Sequence, residues 1–334
     1  MNPIMKKTLQ YLFEHKTLSR EQAKEILVQI SKGLFSESEV TAFITVYLMR
    51  SITIEELQGF RDALQELCIR VDLDGYDVID IVGTGGDGKN TFNISTLSCF
   101  VVAGTGQKVA KHGNYGASTI SGASNVMEEL GYKLKNEIPA LKKELDESHI
   151  CFLHAPQFHP ALKAVGAIRR SLGVRTFFNM LGPLVNPALP PYQLIGVYNL
   201  EMARVYNYLL QQGTQQFTII HGLDGYDEIS LTGDTKVLNN QGERVYSAEE
   251  LGKRSVLAAD LYGGNTVAEA AKLFVKILQA EGTWAQHAVV VANAAMALQC
   301  TGKYPDYEHC YAAALESLES GKAYAAFQKL ISLQ

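Results

Sequence analysis

The sequence predicts an α/β fold: a mostly parallel central sheet flanked by helices, plus a small all-helical N-terminal domain. Three observations carry this expectation. From residue 77 onward, short apolar runs alternate with helical patterns, as in parallel sheets built from strand–helix–strand units. The first apolar run, 78–82, opens through GTGGDG onto a helix start, a connection found where a sheet end binds a ligand. Residues 1–70 carry helical patterns and no strand pattern. A chain of 334 residues is long enough for two domains, here expected at 1–70 and 71–334, with a segment near 165–190 crossing between them.

In chain order, Ser19 with Gln22, Ser36 with Glu39 and Thr53 with Glu56 fit the capping box, in which cap oxygen and third-residue side chain satisfy exposed backbone donors. Helices are expected after each, at 21–32, 37–50 and 54–70. Val40, Phe43, Ile44 and Tyr47 share one helix face. The short amphipathic helices predict a small bundle with one face available to a partner subunit. Strands are expected at 78–82, 108–111, 150–154, 193–198 and 217–221. Helices are expected between them at 95–103, 125–130, 140–147 and 201–212. Residues 156–190 break the alternation and read as helix and loop that cross back to the bundle or line a cleft between the domains. Residues 229–246 read as two short strands around the turn Asn240-Gln241-Gly242. The tail reads as helices at 267–280, 284–298, 307–320 and 323–333. There is no internal repeat.

Composition narrows the function. The net charge of −5 argues against broad nucleic-acid or membrane-surface binding. No apolar run approaches the roughly 18 residues a membrane span needs. The first 16 residues carry Glu14 and no small-residue cleavage site, so no signal peptide is expected. The five cysteines are scattered without CxxC spacing, which predicts neither zinc nor disulfides and points to the cytoplasm.

The chemistry concentrates in 77–116. Four glycines in the six residues 83–88, followed by Asn90, Thr91, Asn93, Ser95 and Thr96 at a helix start, predict backbone amides aimed at one anion. Glycine lets the backbone approach a ligand closely. A strand at 108–111 then delivers Lys111, His112 and Asn114 into a second glycine-containing loop, where Lys111 is expected to meet phosphate. Asp227-Glu228 supplies carboxylates of the kind magnesium takes. Two phosphate-type loops, a lysine and an acid pair together point to a doubly phosphorylated sugar. His112 has three readings: backbone contact to substrate, acid toward a leaving group, or packing. His154 and His159 read as core or pocket lining. Arg170 and Arg175 read as structural, Asp224 as turn chemistry, and Trp284 as core or interface.

The run GTGGDGKNTFNIST (83–96) followed by KHGN (111–114) resembles the anthranilate phosphoribosyltransferase family. FHPALK (158–163), RRSLGVRTFFNMLGPLVNP (169–187), DGYDE (224–228) and NAA (293–295) extend the resemblance over most of the chain. It implies transfer of a phosphoribosyl group from phosphoribosyl pyrophosphate to anthranilate in tryptophan biosynthesis, with loss of pyrophosphate and use of magnesium, one or two ions per monomer. It also implies a homodimer joined through helical domains, with small-molecule substrates and no nucleic-acid or membrane partner.

By resemblance, Gly83, Gly86 and Asp87 form the pyrophosphate loop, and Thr91, Asn93, Ile94, Ser95 and Thr96 hold phosphates. Lys111, His112, Gly113, Asn114, Ser118 and Thr119 wrap the phosphoribosyl group, with Ala123 in the same stretch. Gly83, Asn114, His159 and Arg169 serve anthranilate, and Ser95, Asp227 and Glu228 hold the metal. Elementary chemistry agrees. Breaking the anomeric bond builds positive charge on ribose and negative charge on pyrophosphate, so alignment and charge stabilisation matter more than a covalent nucleophile. The uncharged aromatic amine needs no strong general base. Arg169 suits a carboxylate through its planar fork.

The sequence departs from the family pattern at three places. Tyr115 follows KHGN where arginine is usual, Ala123 replaces a common serine, and Asn125 replaces an aspartate but keeps a helix-start residue. Two rivals are weighed. A pyrimidine nucleoside phosphorylase of the same general fold is disfavoured by KHGN and by the acid pair. A non-catalytic nucleic-acid binder is disfavoured by the acidic charge.

Overall fold

A computed structural model of the chain describes residues 2–116 and 119–334. The chain forms two compact units, Met1–Arg70 with Ala155–Pro187, and Val71–His154 with Ala188–Gln334.

The helical unit begins with four helices, Pro3–Phe13, Arg20–Ser31, Glu37–Met49 and Ile54–Leu67. The last three carry the capping boxes their sequences predict, on Ser19, Ser36 and Thr53. Phe43, Tyr47 and Phe60 pack with Phe177 from the inserted segment, and Phe60 stacks on Phe177 with ring centroids 4.6 Å apart. The insertion is thus part of this unit's core; it starts at Ala155, at the edge of the 156–190 break in the strand–helix pattern and ahead of the crossing expected near 165–190. A buried charge ties the bundle together. The Glu56 side chain is 0% exposed, and its carboxylate accepts from Arg50, the Leu18 and Thr53 amides and the Tyr47 hydroxyl.

The second unit is a seven-stranded sheet. Its strands are β1 (Val78–Gly83), β2 (Lys108–Gly113), β3 (Ile150–His154), β4 (Tyr192–Gly196), β5 (Gln216–Gly222), β6 (Thr235–Asn239) and β7 (Gly242–Tyr246). The spatial order is β3-β2-β1-β4-β5-β6-β7. Strands β1 to β5 pair in parallel, and β5-β6-β7 pair antiparallel as the edge. Helices Ile94–Gly104 and Trp284–Thr301 are buried along most of their length, as a sheet covered on its faces requires. The strand order reverses between β1 and β4. In open parallel sheets the crevice beyond the carboxyl ends at such a reversal is the ligand position. The glycine loop leaves β1 at that point, and the acid pair follows β5 one strand away.

Candidate active site

The reversal point is built by close approach of backbones. Gly83 ends β1 and Gly196 ends β4, and Asp227 lies over both. A Cβ on Gly83 would sit 2.5 Å from the Asp227 carboxylate, and one on Gly196 would sit 1.6 Å from its carbonyl oxygen. Only glycine at these strand ends leaves room for the acid.

Asp227 accepts from the Gly85 amide at 2.7 Å. Glu228 accepts from the Ser95 amide at 3.0 Å, and the Thr91 hydroxyl lies 3.5 Å away. The acid pair therefore engages amides of both the glycine loop and the first turn of the Ile94–Gly104 helix. The sequence predicts those amides as phosphate donors. Here Asp227 and Glu228 take one from each element, because a carboxylate at a helix start is stabilised by the same partial positive charge.

Asn293 fixes the pair from below. Its side chain accepts from the Ile229 amide at 3.0 Å and donates to the Ile229 carbonyl at 2.8 Å. Asn293 belongs to the NAA run, which by itself assigns it no task. A lone amide inside the otherwise apolar run VVVANAAMA is the signal that reveals it.

The electrostatics favour a cation. Burial, then repulsion from Asp87, pushes the Asp227 carboxyl above its ordinary value. Burial, then Asp227 and Asp87, pushes Glu228 well above its own. No lysine or arginine among the described residues forms an ion pair with either. Two buried carboxylates with Asp87 beside them, raised by burial and by repulsion from neighbouring acids, fit a hard divalent ion such as magnesium. Among the described residues no three His, Cys, Asp or Glu side chains are arranged as a ready cage.

Gly86 is buried, and Asp87 accepts the Lys89 amide at 3.0 Å. Asn93 donates to the Ser121 carbonyl at 2.9 Å. Ile94 already gives its amide to Phe92 in a tight turn at 2.6 Å, so that N–H is spent inside the protein. Thr96 is buried at the helix start.

Strand β2 runs to Gly113, so Lys111 and His112 lie in the strand rather than in the loop after it. Lys111 is 2% exposed, and its ammonium donates to the Ile81 carbonyl at 2.7 Å. Lys111 is expected to meet phosphate at the strand's end; here β2 continues past it, and both faces of that strand are covered, so the side chain lies in the interior. His112 is buried, and its amide donates to Asp80 at 3.1 Å. A Cβ on Gly113 would meet the Phe152 ring at 2.6 Å.

Asn114 is exposed, and its carbonyl accepts the Ser124 amide at 3.1 Å. Thr119 is half-buried, and Ala123 begins the Ala123–Glu129 helix. Ser118 lies outside the described residues. Asn125 keeps the helix-start function expected of it, accepting the Gly116 and Gly122 amides at 3.0 Å each. Tyr115 sets its ring edge-on to His154 at 4.8 Å, and His154 meets the Ser124 hydroxyl at 2.8 Å.

Arg169 and His159 belong to the helical unit. Arg169 is half-buried. It reaches Asn179 at 3.4 Å and lies over the Phe178 ring at 5.5 Å. No carboxylate among the described residues pairs with it, and burial holds its pKa below the usual arginine value. It is thus a desolvated cation suited to an incoming anion. His159, read as core or as lining of the anthranilate side, is 1% exposed, with its ring at the Val185 and Leu64 backbones. Burial lowers its pKa to about 4, so it is a neutral interior group.

Comparison with known proteins places these features in a family. The model of the glycosyl transferase family, a/b domain, matches residues 75–324. That of the glycosyl transferase family, helical bundle domain, matches residues 6–68. Anthranilate phosphoribosyltransferase of Christiangramia forsetii is 54% identical over 329 residues, covering 98% of this chain and 99% of the relative. That of Flavobacterium johnsoniae is 55% identical with the same coverage. Among solved structures, anthranilate phosphoribosyltransferase from Thermus thermophilus superposes with a TM-score of 0.90 at 31% identity, covering 97% of this chain and 98% of the other. The Saccharomyces cerevisiae enzyme in complex with PRPP and Mg superposes with a TM-score of 0.91 at 25% identity, covering 100% and 98%. With both domains matched, and the glycine loop and acid pair joined at the sheet's reversal point, the chain belongs to the anthranilate phosphoribosyltransferase group of the glycosyl transferase family.

Proposed function

We infer that this protein transfers the phosphoribosyl group of 5-phosphoribosyl 1-pyrophosphate to the amine of anthranilate, a step of tryptophan biosynthesis. The products are pyrophosphate and N-(5-phosphoribosyl)anthranilate. One observation carries the reading: Asp227 and Glu228 are bonded to Gly85 and Ser95, which joins the acid pair to the glycine loop and to the helix start. The shared name of the relatives supports the substrate pair.

The chain's residues supply alignment and charge. The loop from Gly83 to Asp87, with Thr91, Asn93 and Ser95, holds the pyrophosphate side, and the stretch from His112 to Thr119 holds the phosphoribosyl side. Asp227 and Glu228, with Ser95, hold magnesium, one or two ions per monomer. Bound magnesium neutralises charge on the departing pyrophosphate. The amine attacks as the neutral base, so no protein group has to deprotonate it first. Arg169 holds the anthranilate carboxylate and, with Asn114, fixes the direction of attack.

The homodimer proposed for the chain draws support from apolar side chains exposed on the helical unit, among them Phe13 at 62% and Met49 at 83%. Sedimentation at micromolar concentration reads the dimer directly, and a monomer there removes it. The five free cysteines favour a reducing cytoplasm. No helix among the described residues is long and apolar enough to cross a membrane.

The testing experiment follows anthranilate fluorescence with phosphoribosyl pyrophosphate, with and without magnesium. Loss of fluorescence that requires both is the expected result. No loss from folded, magnesium-supplied protein overturns the reading. In the same assay, Arg169→Ala raises KM for anthranilate by about 10- to 100-fold, the scale of one charge-assisted fork, with KM for the phosphoribosyl donor little changed. An unchanged anthranilate KM places the carboxylate elsewhere.

A further inference from the structure

A carboxylate stands where a parallel sheet ought to be apolar. Asp80 lies in the middle of β1, the strand between β2 and β4, and is 0% exposed. Strands buried on both faces are normally continuous apolar runs, and a buried acid there is costly unless it answers a specific need.

The need is visible in the ladder. Strands β1 and β2 pair only at Val78–Lys108 and Ile79–Val109. Beyond that, β1 stays paired with β4 through Gly83–Gly196, while β2 stays paired with β3 through Gly113–His154. The two strands therefore fork toward their carboxyl ends. Carried forward, the β1–β2 register would give the Ile81 carbonyl to the His112 amide. Both groups of that missing bond are satisfied by side chains of the same two strands. The His112 amide donates to the Asp80 carboxylate at 3.1 Å, and the Ile81 carbonyl accepts the Lys111 ammonium at 2.7 Å. One strand's acid and the other's base replace one backbone bond. The two backbone groups of the missing bond thus keep hydrogen-bond partners.

The fork lies between the two loops of the proposed phosphoribosyl site. On one side β1 runs into the loop that engages Asp227 and Glu228, and on the other β2 runs into Asn114. A closed ladder would draw those strand ends toward the ordinary spacing of about 4.8 Å between neighbours.

We propose that Asp80 is a positioning residue: with Lys111 it holds β1 and β2 apart at their carboxyl ends, and the opening so made seats the phosphoribosyl group. This rests on the function inferred above. Asp80 itself touches no substrate and acts through the His112 amide. Lys111 is kept at the floor of the opening by the bond to Ile81.

The test uses full-length Asp80→Leu and Asp80→Asn with separate kinetics for each substrate. Asp80→Leu has no acceptor for the His112 amide. It is expected to raise KM for phosphoribosyl pyrophosphate about tenfold or more, the scale of one buried hydrogen bond, with KM for anthranilate within about twofold. Asp80→Asn keeps a side-chain carbonyl for that amide and is expected to restore most of the donor affinity. Equal KM increases for both substrates, or no rescue by asparagine, would reduce Asp80 to general stability and overturn the proposal.

Should Asp80→Leu fail to fold, hydrogen exchange on the wild type decides. Phosphoribosyl pyrophosphate with magnesium is expected to protect residues 111–114, and anthranilate alone is not. Absence of donor-dependent protection there overturns the fork as the seat. A wild type that consumes no anthranilate fails the functional reading itself. A working wild type beside an unchanged Asp80→Leu fails only this inference.

Discussion

Replacing Asp227 by Asn together with Glu228 by Gln is expected to abolish magnesium-dependent turnover, by about a thousandfold or more, while the protein stays folded. The magnitude is that of removing a charge stabiliser from a developing anion in a water-poor site. The amides of Gly85 and Ser95 keep acceptors in the isosteric side chains, so the local frame has no reason to collapse. The metal-free variant should melt no lower than the metal-free wild type, and in fact higher. Burial, with repulsion from Asp87 on both and from Asp227 on Glu228, raises both carboxyl pKa values, which means the charged pair opposes folding when no cation is bound. Thermal melts with and without magnesium and phosphoribosyl pyrophosphate, beside the fluorescence assay, check both halves. Near-normal turnover in a folded double variant removes the metal role. A large fall in its metal-free melting temperature shows instead that the pair is structural.

The largest effect on stability is expected at Glu56. Glu56→Ala leaves the Arg50 guanidinium and the Leu18 amide without their buried acceptor. Breaking one side of a buried charged network costs about 3–5 kcal/mol. The pH dependence has a definite sign. Burial pushes the Glu56 carboxyl up, but Arg50 and the Thr53 and Leu18 amides pull it further down, so it ends below its usual value. A depressed acid stabilises the fold above its unfolded pKa of about 4.3, and that contribution is lost as pH falls through the folded value. The gap between wild type and Glu56→Gln should therefore be large at neutral pH and shrink below about pH 4. Denaturant unfolding at several pH values measures it. A gap independent of pH assigns the effect to packing alone.

Much of this protein can be read residue by residue from its chain. The capping boxes at Ser19, Ser36 and Thr53 depend on neighbours three residues apart, and all three are present. The run 78–82 lies within β1, and the glycine loop follows it. The antiparallel edge turns at Asn240-Gln241, as its turn residues suggest, since Asn239 pairs with Gly242. The acid pair is legible as two adjacent carboxylates after a strand, and both are buried beside the glycine loop. Motif spacing, and the resemblance it supports, also gave the family.

What was not legible depends on contacts between residues far apart in sequence. Lys111 reads as a phosphate-binding cation at a loop until β3 extends β2 to Gly113, and the covered faces of that strand then enclose the side chain. His159 reads as core or as pocket lining, and only the folded helical unit, which encloses it, decides for the interior. Asp80 looks like one polar residue in an apolar run, and its task appears only where β1 and β2 part. The sequence by itself determined the elements, their caps and the chemical inventory of the site, because these rest on neighbours within a few residues. Tertiary structure alone decided which amides Asp227 and Glu228 claim, which way Lys111 points and where the sheet opens. Each of those outcomes is a competition for hydrogen-bond partners and space among residues that only the folded chain brings together.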